Sequence, residues 1–258
     1  MALQDEITRI KQAKADIKAS IEAKGGSVGG GLIDTYASAI DNLPSGGGDL
    51  SGYFSNTASI DGSDTFFAKN LIKKIPDVDL TGITTMSNAF DGFQRLEELN
   101  LADVSEVKYM ESLCHGCTSL TKVAILNTIK TTNMRNMFNG CVSLKEVEEL
   151  QGEKTIMVED MFNGCENLET FGGIKNLGKS YLNLYASGYS NYTFDLSYCT
   201  KLSYESLMNV LNGLYDIASK KVKTQNIILG ETNLAKLQAT EEGQQAIITA
   251  TNKGWEVS

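Results

Sequence analysis

Four copies of one pattern, each 24 residues after the last, constrain this chain more than any other feature. Phe90, Cys114, Phe138 and Phe162 fall in one column, and Gly92, Gly116, Gly140 and Gly164 in another. Phe93, Cys117, Cys141 and Cys165 make a third, and Leu96, Leu120, Leu144 and Leu168 a fourth. The register does not slip between Phe90 and Leu168. A segment that repeats this strictly cannot bury its apolar face alone; stacked neighbours must bury it together.

A period of about 20 to 29 residues on a leucine skeleton predicts a solenoid of the leucine-rich type. Within one copy, Met134, Met137, Phe138 and Cys141 stand at i, i+3, i+4 and i+7, which predicts about two turns of helix. Leu144 and Val147 then lead into a short extended segment. Equivalent strands should pair in parallel at about 4.8 Å per coil. The expected fold is an α/β solenoid of 24-residue coils with parallel strands, an N-terminal coiled-coil helix and an α/β C-terminal cap. Phe90, Phe138, Phe162, Cys117, Cys141, Cys165, Leu96, Leu120, Leu144 and Leu168 are the expected repeat core. Phe66, Ile72 and Ile75 mark a degenerate copy one period before Phe90, Leu96 and Leu99, as an end coil would show.

The chain divides accordingly. Residues 1–24 are an attachment helix, and 25–48 a glycine-rich linker with a short helix. Residues 49–85 hold an N-terminal cap and the degenerate copy, 86–181 the repeats, and 182–258 an inserted segment and the C-terminal cap. In the first helix Leu3, Ile7, Ile10, Lys14, Ile17 and Ile21 are spaced alternately by 4 and 3, a heptad seam. A helix of about 30 Å cannot bury that seam alone. It needs further copies, or it packs on the body of its own chain. Isoleucine at both seam positions favours trimers or tetramers. Gly25-Gly26-Ser27-Val28-Gly29-Gly30-Gly31 ends the helix and loosens its attachment to the body, and without a flanking strand or Lys-Ser/Thr it is no phosphate loop.

The period fails after Leu168. The next Cys-x-x-Leu, Cys199 to Leu202, comes 34 residues after Cys165, so about ten residues are inserted. That stretch carries Tyr181, Tyr185, Tyr189 and Tyr192 among Gly, Ser and Asn. Insertions in repeat arrays map to one face, often the binding face, and this is the composition of recognition loops. The four tyrosines are candidate ligand contacts; the alternative is an irregular coil whose rings pack on the repeats. Beyond it, Ser203–Ala218 and Thr232–Asn252 read as helical, with Gln225–Leu229 and Trp255–Val257 as strands. This segment is expected to cover the open end of the stack.

Composition narrows the chemistry. The net charge is −9, which gives no electrostatic footing on nucleic acid or anionic lipid. Three of the five cysteines share a column and Cys199 repeats its context, as small buried hydrophobes would rather than disulfide partners. Cys114-His115-Gly116-Cys117 lacks a second Cys/His pair to complete four zinc ligands. No metal, cofactor or catalytic residue is expected. The single histidine, His115, shares a turn column with Asp91, Asn139 and Asn163 and reads as a solvated turn residue. No nucleophile elbow, metal triad or phosphate loop occurs, so the chain is not expected to be an enzyme.

Asn133-Met134-Arg135-Asn136-Met137-Phe138-Asn139-Gly140-Cys141-Val142-Ser143-Leu144 resembles the BspA-like leucine-rich repeat, over about residues 86–171. That family is common in bacterial surface adhesins and in virion proteins of bacteriophages. The stretch from Ile7 to Gly25 resembles the N-terminal attachment segment of phage tail, baseplate and fibre proteins. Leu229–Leu237 and Ala250–Trp255 resemble the C-terminal ends of such proteins. No export signal or wall anchor is visible, which favours the virion over the cell-surface adhesin. The resemblance implies a virion protein, and the isoleucine seam of residues 1–24 points to a homotrimer. It would be docked on other virion proteins through residues 1–24 and display its repeats to a host-surface glycan or protein. A purely structural baseplate or capsid decoration protein, or a bacterial cell-surface adhesin, is the alternative.

Overall fold

The computed structural model describes residues 73–75, 80–125, 127–180, 193–220 and 223–258, with Gln12 alone upstream. Two compact units divide the chain, Met1–Thr57 with Pro76–Asp79, and Ala58–Ile75 with Leu80–Ser258. In the first, Gln12 is helical and exposed; the seam of Leu3, Ile7, Ile10, Lys14, Ile17 and Ile21 lies outside the described residues. The second unit holds every other described residue.

Strands β1 (Glu98–Leu101), β2 (Lys122–Ile125), β3 (Glu146–Val147) and β5 (Thr170–Phe171) form one parallel sheet in the order β1-β2-β3-β5. Glu98 pairs with Lys122, Lys122 with Glu146 and Glu146 with Thr170, so the sequence period is the sheet register. β4 (Leu150–Gln151) and β6 (Ile174–Lys175) pair the same way. Side chains alternate across each strand: Leu99, Leu101, Val123 and Ile125 are buried, while Lys74, Glu98, Lys122 and Glu146 form an exposed column of alternating charge. Lys74 reaches Glu98 at 2.7 Å and Lys122 reaches Glu146 at 2.7 Å.

The expected two-turn helix in each repeat does not form. Residues 135–140 are turns, and from Asn136 to Cys141 the N–H groups alternate between two kinds of acceptor. Met134, Asn136, Phe138 and Gly140 donate to Met157, Glu159, Met161 and Asn163 of the next repeat, at 2.8–3.0 Å. Met137, Asn139 and Cys141 donate back three residues, to Met134, Asn136 and Phe138. The two preceding repeats do the same. A helix keeps every interior N–H within itself; here half of them bind along the stack. The backbone achieves this with two left-handed residues per repeat. The glycine column sits at φ 68–77°, and Asn88, Ser112, Asn136 and Asp160 at φ 53–60°. Glycine takes this region freely, and Asn and Asp more easily than other residues. The i, i+3, i+4, i+7 pattern is still inward-facing, so sequence periodicity alone could not separate the two conformations.

Phe90, Phe138 and Phe162, the column cysteines and the column leucines are all buried. The Phe138 and Phe162 rings stack at 5.5 Å, and Phe162 meets Phe171 edge-on at 5.0 Å. Thr131 and Thr155, also buried, donate from their hydroxyls to Val107 and Thr131 carbonyls at 3.0 Å.

Helix α1 (Tyr204–Asn212) closes the free edge of β5. Ser203 caps it by accepting the Ser206 N–H, and the Ser206 hydroxyl accepts the Phe171 N–H at 3.0 Å. The helix ends at Gly213 rather than running to Ala218 as the pattern predicts, because Leu214 forms a bridge with Leu177. A second parallel sheet runs β7 (Thr193–Asp195), β8 (Gln225–Ile228), β9 (Trp255–Val257). The predicted helix over Thr232–Asn252 is two, α2 (Gly230–Gln238) and α3 (Glu241–Asn252), divided where Thr240 caps α3 by accepting the Gly243 N–H. The chain is thus α/β in character, with parallel sheets and helices.

Candidate recognition surface

Of the residues that sequence reasoning placed at a binding site, Tyr181, Tyr185, Tyr189 and Tyr192 lie outside the described residues. A different surface is formed by described residues where the register changes from 24 to 34. Two turns meet there. Glu166 and Asn167 come directly after Cys165, the last cysteine of the regular repeats. Ser197, Tyr198, Thr200 and Lys201 surround Cys199 in the next turn. Together they line an open cleft of about 350 Å³.

The cleft wall is held from behind. Asn233 of α2 is buried, and its amide donates to the carbonyls of Leu196, Cys199 and Leu229 at 3.0–3.4 Å. The Lys236 ammonium donates to the carbonyls of Thr200 and Leu202 at 2.8 and 2.7 Å; burial lowers its pKa. Asp195 accepts the Ser197 N–H at 2.8 Å and shapes the start of the turn. Across the cleft, Lys201 donates to the Asn167 side-chain oxygen at 2.5 Å, and Asn167 donates to the Val142 carbonyl at 2.7 Å. Tyr198 is 47% exposed. The Glu166 carboxylate and the hydroxyls of Ser197, Tyr198 and Thr200 make no hydrogen bond with other described residues. This arrangement offers one aromatic face, one cation, one anion and several hydroxyls on a fixed backbone. Sequence reasoning missed it because its halves lie some 30 residues apart; the one available signal was that Lys201 interrupts a column otherwise held by Arg95, Ser119, Ser143 and Asn167.

The cysteines serve the stack. Cys117, Cys141 and Cys165 donate from their thiols to the carbonyls of Phe90, Cys114 and Phe138 at 3.0–3.1 Å. All five cysteines are free and buried. Burial pushes the Cys165 thiol up to about 12, and Cys114, Cys141 and Cys199 well above their ordinary value. In the Cys114–Cys117–Cys141 cluster, the neighbouring thiols would favour a charge at Cys117 by donating to it. Among the described residues no three His, Cys, Asp or Glu side chains are grouped to hold a metal ion. His115 lies at the surface, 2.8 Å from the Asp91 carboxylate.

The described part of the chain is therefore an α/β repeat protein whose repeats pair in parallel register, with a polar cleft at the end of the regular series. The family model described as Mycoplasma protein of unknown function, DUF285, matches residues 51–173. That match supports the likeness of the repeats to the BspA-like type. No curated protein matches the chain.

Proposed function

We propose that this chain is a structural protein of a bacteriophage virion, attached by residues 1–24 and displaying a leucine-rich-repeat solenoid that recognises a host surface. The observation that carries the display reading is the hydrogen-bonded register of the repeats. Successive repeats are joined through alternate N–H groups as well as through strands, which makes a stiff support. A stiff support ending in a polar cleft suits recognition better than turnover. The virion assignment rests on the resemblance of the flanking segments. The recognition partner is a glycan or protein of the host surface, and the chain acts without metal, cofactor or catalysis.

Two measurements test this. Mass spectrometry of purified particles should find the chain at stoichiometric copy number, and its absence from particles would sink the virion reading. Purified protein should bind host cells saturably; if particles carry it but the protein binds no cells, it is a baseplate or capsid decoration instead. Light scattering should give a trimer for the full chain and a monomer once residues 1–48 are removed.

A further inference from the structure

We propose that the cleft lined by Glu166, Asn167, Ser197, Tyr198, Thr200 and Lys201 is a subsite for a neutral saccharide. The proposal deepens the surface-recognition reading and rests on it. Size comes first: about 350 Å³ lies at the small end of ligand pockets, about 300–1,000 Å³, enough for one or two sugar rings rather than a folded epitope.

The chemistry of the lining selects further. A pyranose has an apolar C–H face and a rim of hydroxyls that both donate and accept. Tyr198, half exposed, offers a ring face of matching size with a polar tip. Glu166 offers acceptors only, and Ser197 and Thr200 offer hydroxyls that can do either. Among the described residues Lys201 spends one N–H, on Asn167, which leaves two for a ligand. Among the described residues the side chains of Glu166, Ser197, Tyr198 and Thr200 make no hydrogen bond to the fold, whereas Asn233 and Lys236 behind them are engaged with it. Asn233 and Lys236 together make four hydrogen bonds to carbonyls of the wall turn, so ordering the wall costs the ligand little.

The competing ligand classes fit less well. A phosphate or sulfate would need net positive charge, but Lys201 is matched by Glu166 within a chain of net charge −9. A hydrophobic peptide anchor would need an apolar pocket, and Tyr198 is the sole aromatic or aliphatic lining residue. A neutral sugar needs neither.

The test uses the full chain on immobilised neutral oligosaccharides of glucose, galactose, rhamnose and N-acetylglucosamine, with sialylated and sulfated ones alongside. Retention on at least one neutral member is expected. Tyr198→Ala and Glu166→Gln should each weaken it tenfold or more with an unchanged circular dichroism spectrum and melting temperature. Tyr109→Ala, which removes an exposed ring outside the cleft lining, should leave it unchanged. Retention on the anionic members alone, on none, or equally by Tyr198→Ala would overturn the proposal. Host-cell binding keeps the two readings apart. If the wild type and Tyr198→Ala bind cells equally, the cleft assignment falls and surface recognition stands. If oligosaccharides bind through Tyr198 but cells are not bound, surface recognition falls and the subsite stands.

Discussion

The Ser206 hydroxyl stands where the next strand would be, accepting the Phe171 N–H at 3.0 Å and ending the main sheet at β5. One side chain of α1 does for this strand edge what a whole repeat does for the strands before it. Ser206→Ala leaves a buried N–H without a partner, at a cost of about 1–3 kcal/mol. Urea denaturation should show that loss, and hydrogen exchange should quicken first at Phe171. An unchanged midpoint would mean that the edge is satisfied in another way.

The two left-handed columns make opposite predictions. Gly140→Ala places a side chain at φ 77°, although its Cβ would meet Gly116 no closer than 3.5 Å. The cost is conformational, about 1–2 kcal/mol. Ser112, at φ 53°, already carries part of that cost. Ser112→Gly should therefore stabilise the protein, by about 0.5–1 kcal/mol. Thermal melts of both variants check the pair of signs.

The thiols should be silent in the folded protein. All five are buried, so a thiol reagent at pH 8 should label none until denaturant is added. Burial holds the folded Cys165 at about 12 against an ordinary value of 9.0. Below pH 9 both states keep the proton and the stability is fully present. As pH rises from 9 toward 12 the unfolded chain ionises first, so stability falls across that window. Urea midpoints from pH 8 to 11 should decline, and less steeply in Cys165→Ala relative to its own value at pH 8.

Trp255 is the only tryptophan of the chain. It is buried with its ring N–H donating to the Tyr215 carbonyl at 2.9 Å. A Cβ on Gly178 would lie 2.6 Å from its Cζ2, and Gly178 sits at φ 97°. Gly178→Ala should cost about 1–3 kcal/mol through overpacking and shift the intrinsic fluorescence. A shift without destabilisation would show that the indole moves freely.

Much of this architecture was legible in the residues themselves. Columns repeating every 24 positions fix which side chains share a core, and parallel pairing of Glu98 with Lys122 and of Lys122 with Glu146 comes from that one number. Gln225–Ile228 and Trp255–Val257 were readable as strands from their own composition. The cleft was not, because Asn167 and Lys201 stand 34 residues apart across the break in the period, where the column spacing no longer predicts neighbours.

What periodicity could not decide was where each N–H goes. Met134 and Phe138 are inward-facing in a helix and in the turns that actually form, so apolar spacing is silent between them. The choice falls to Asn136 and Gly140, which reach the left-handed region at little cost, and to the neighbouring repeat, whose carbonyls at Glu159 and Asn163 take their N–H groups. Which residues are buried is thus a property of the sequence. The conformation in which they are buried is one whose free N–H groups the adjacent repeat accepts, and that is decided in the tertiary structure.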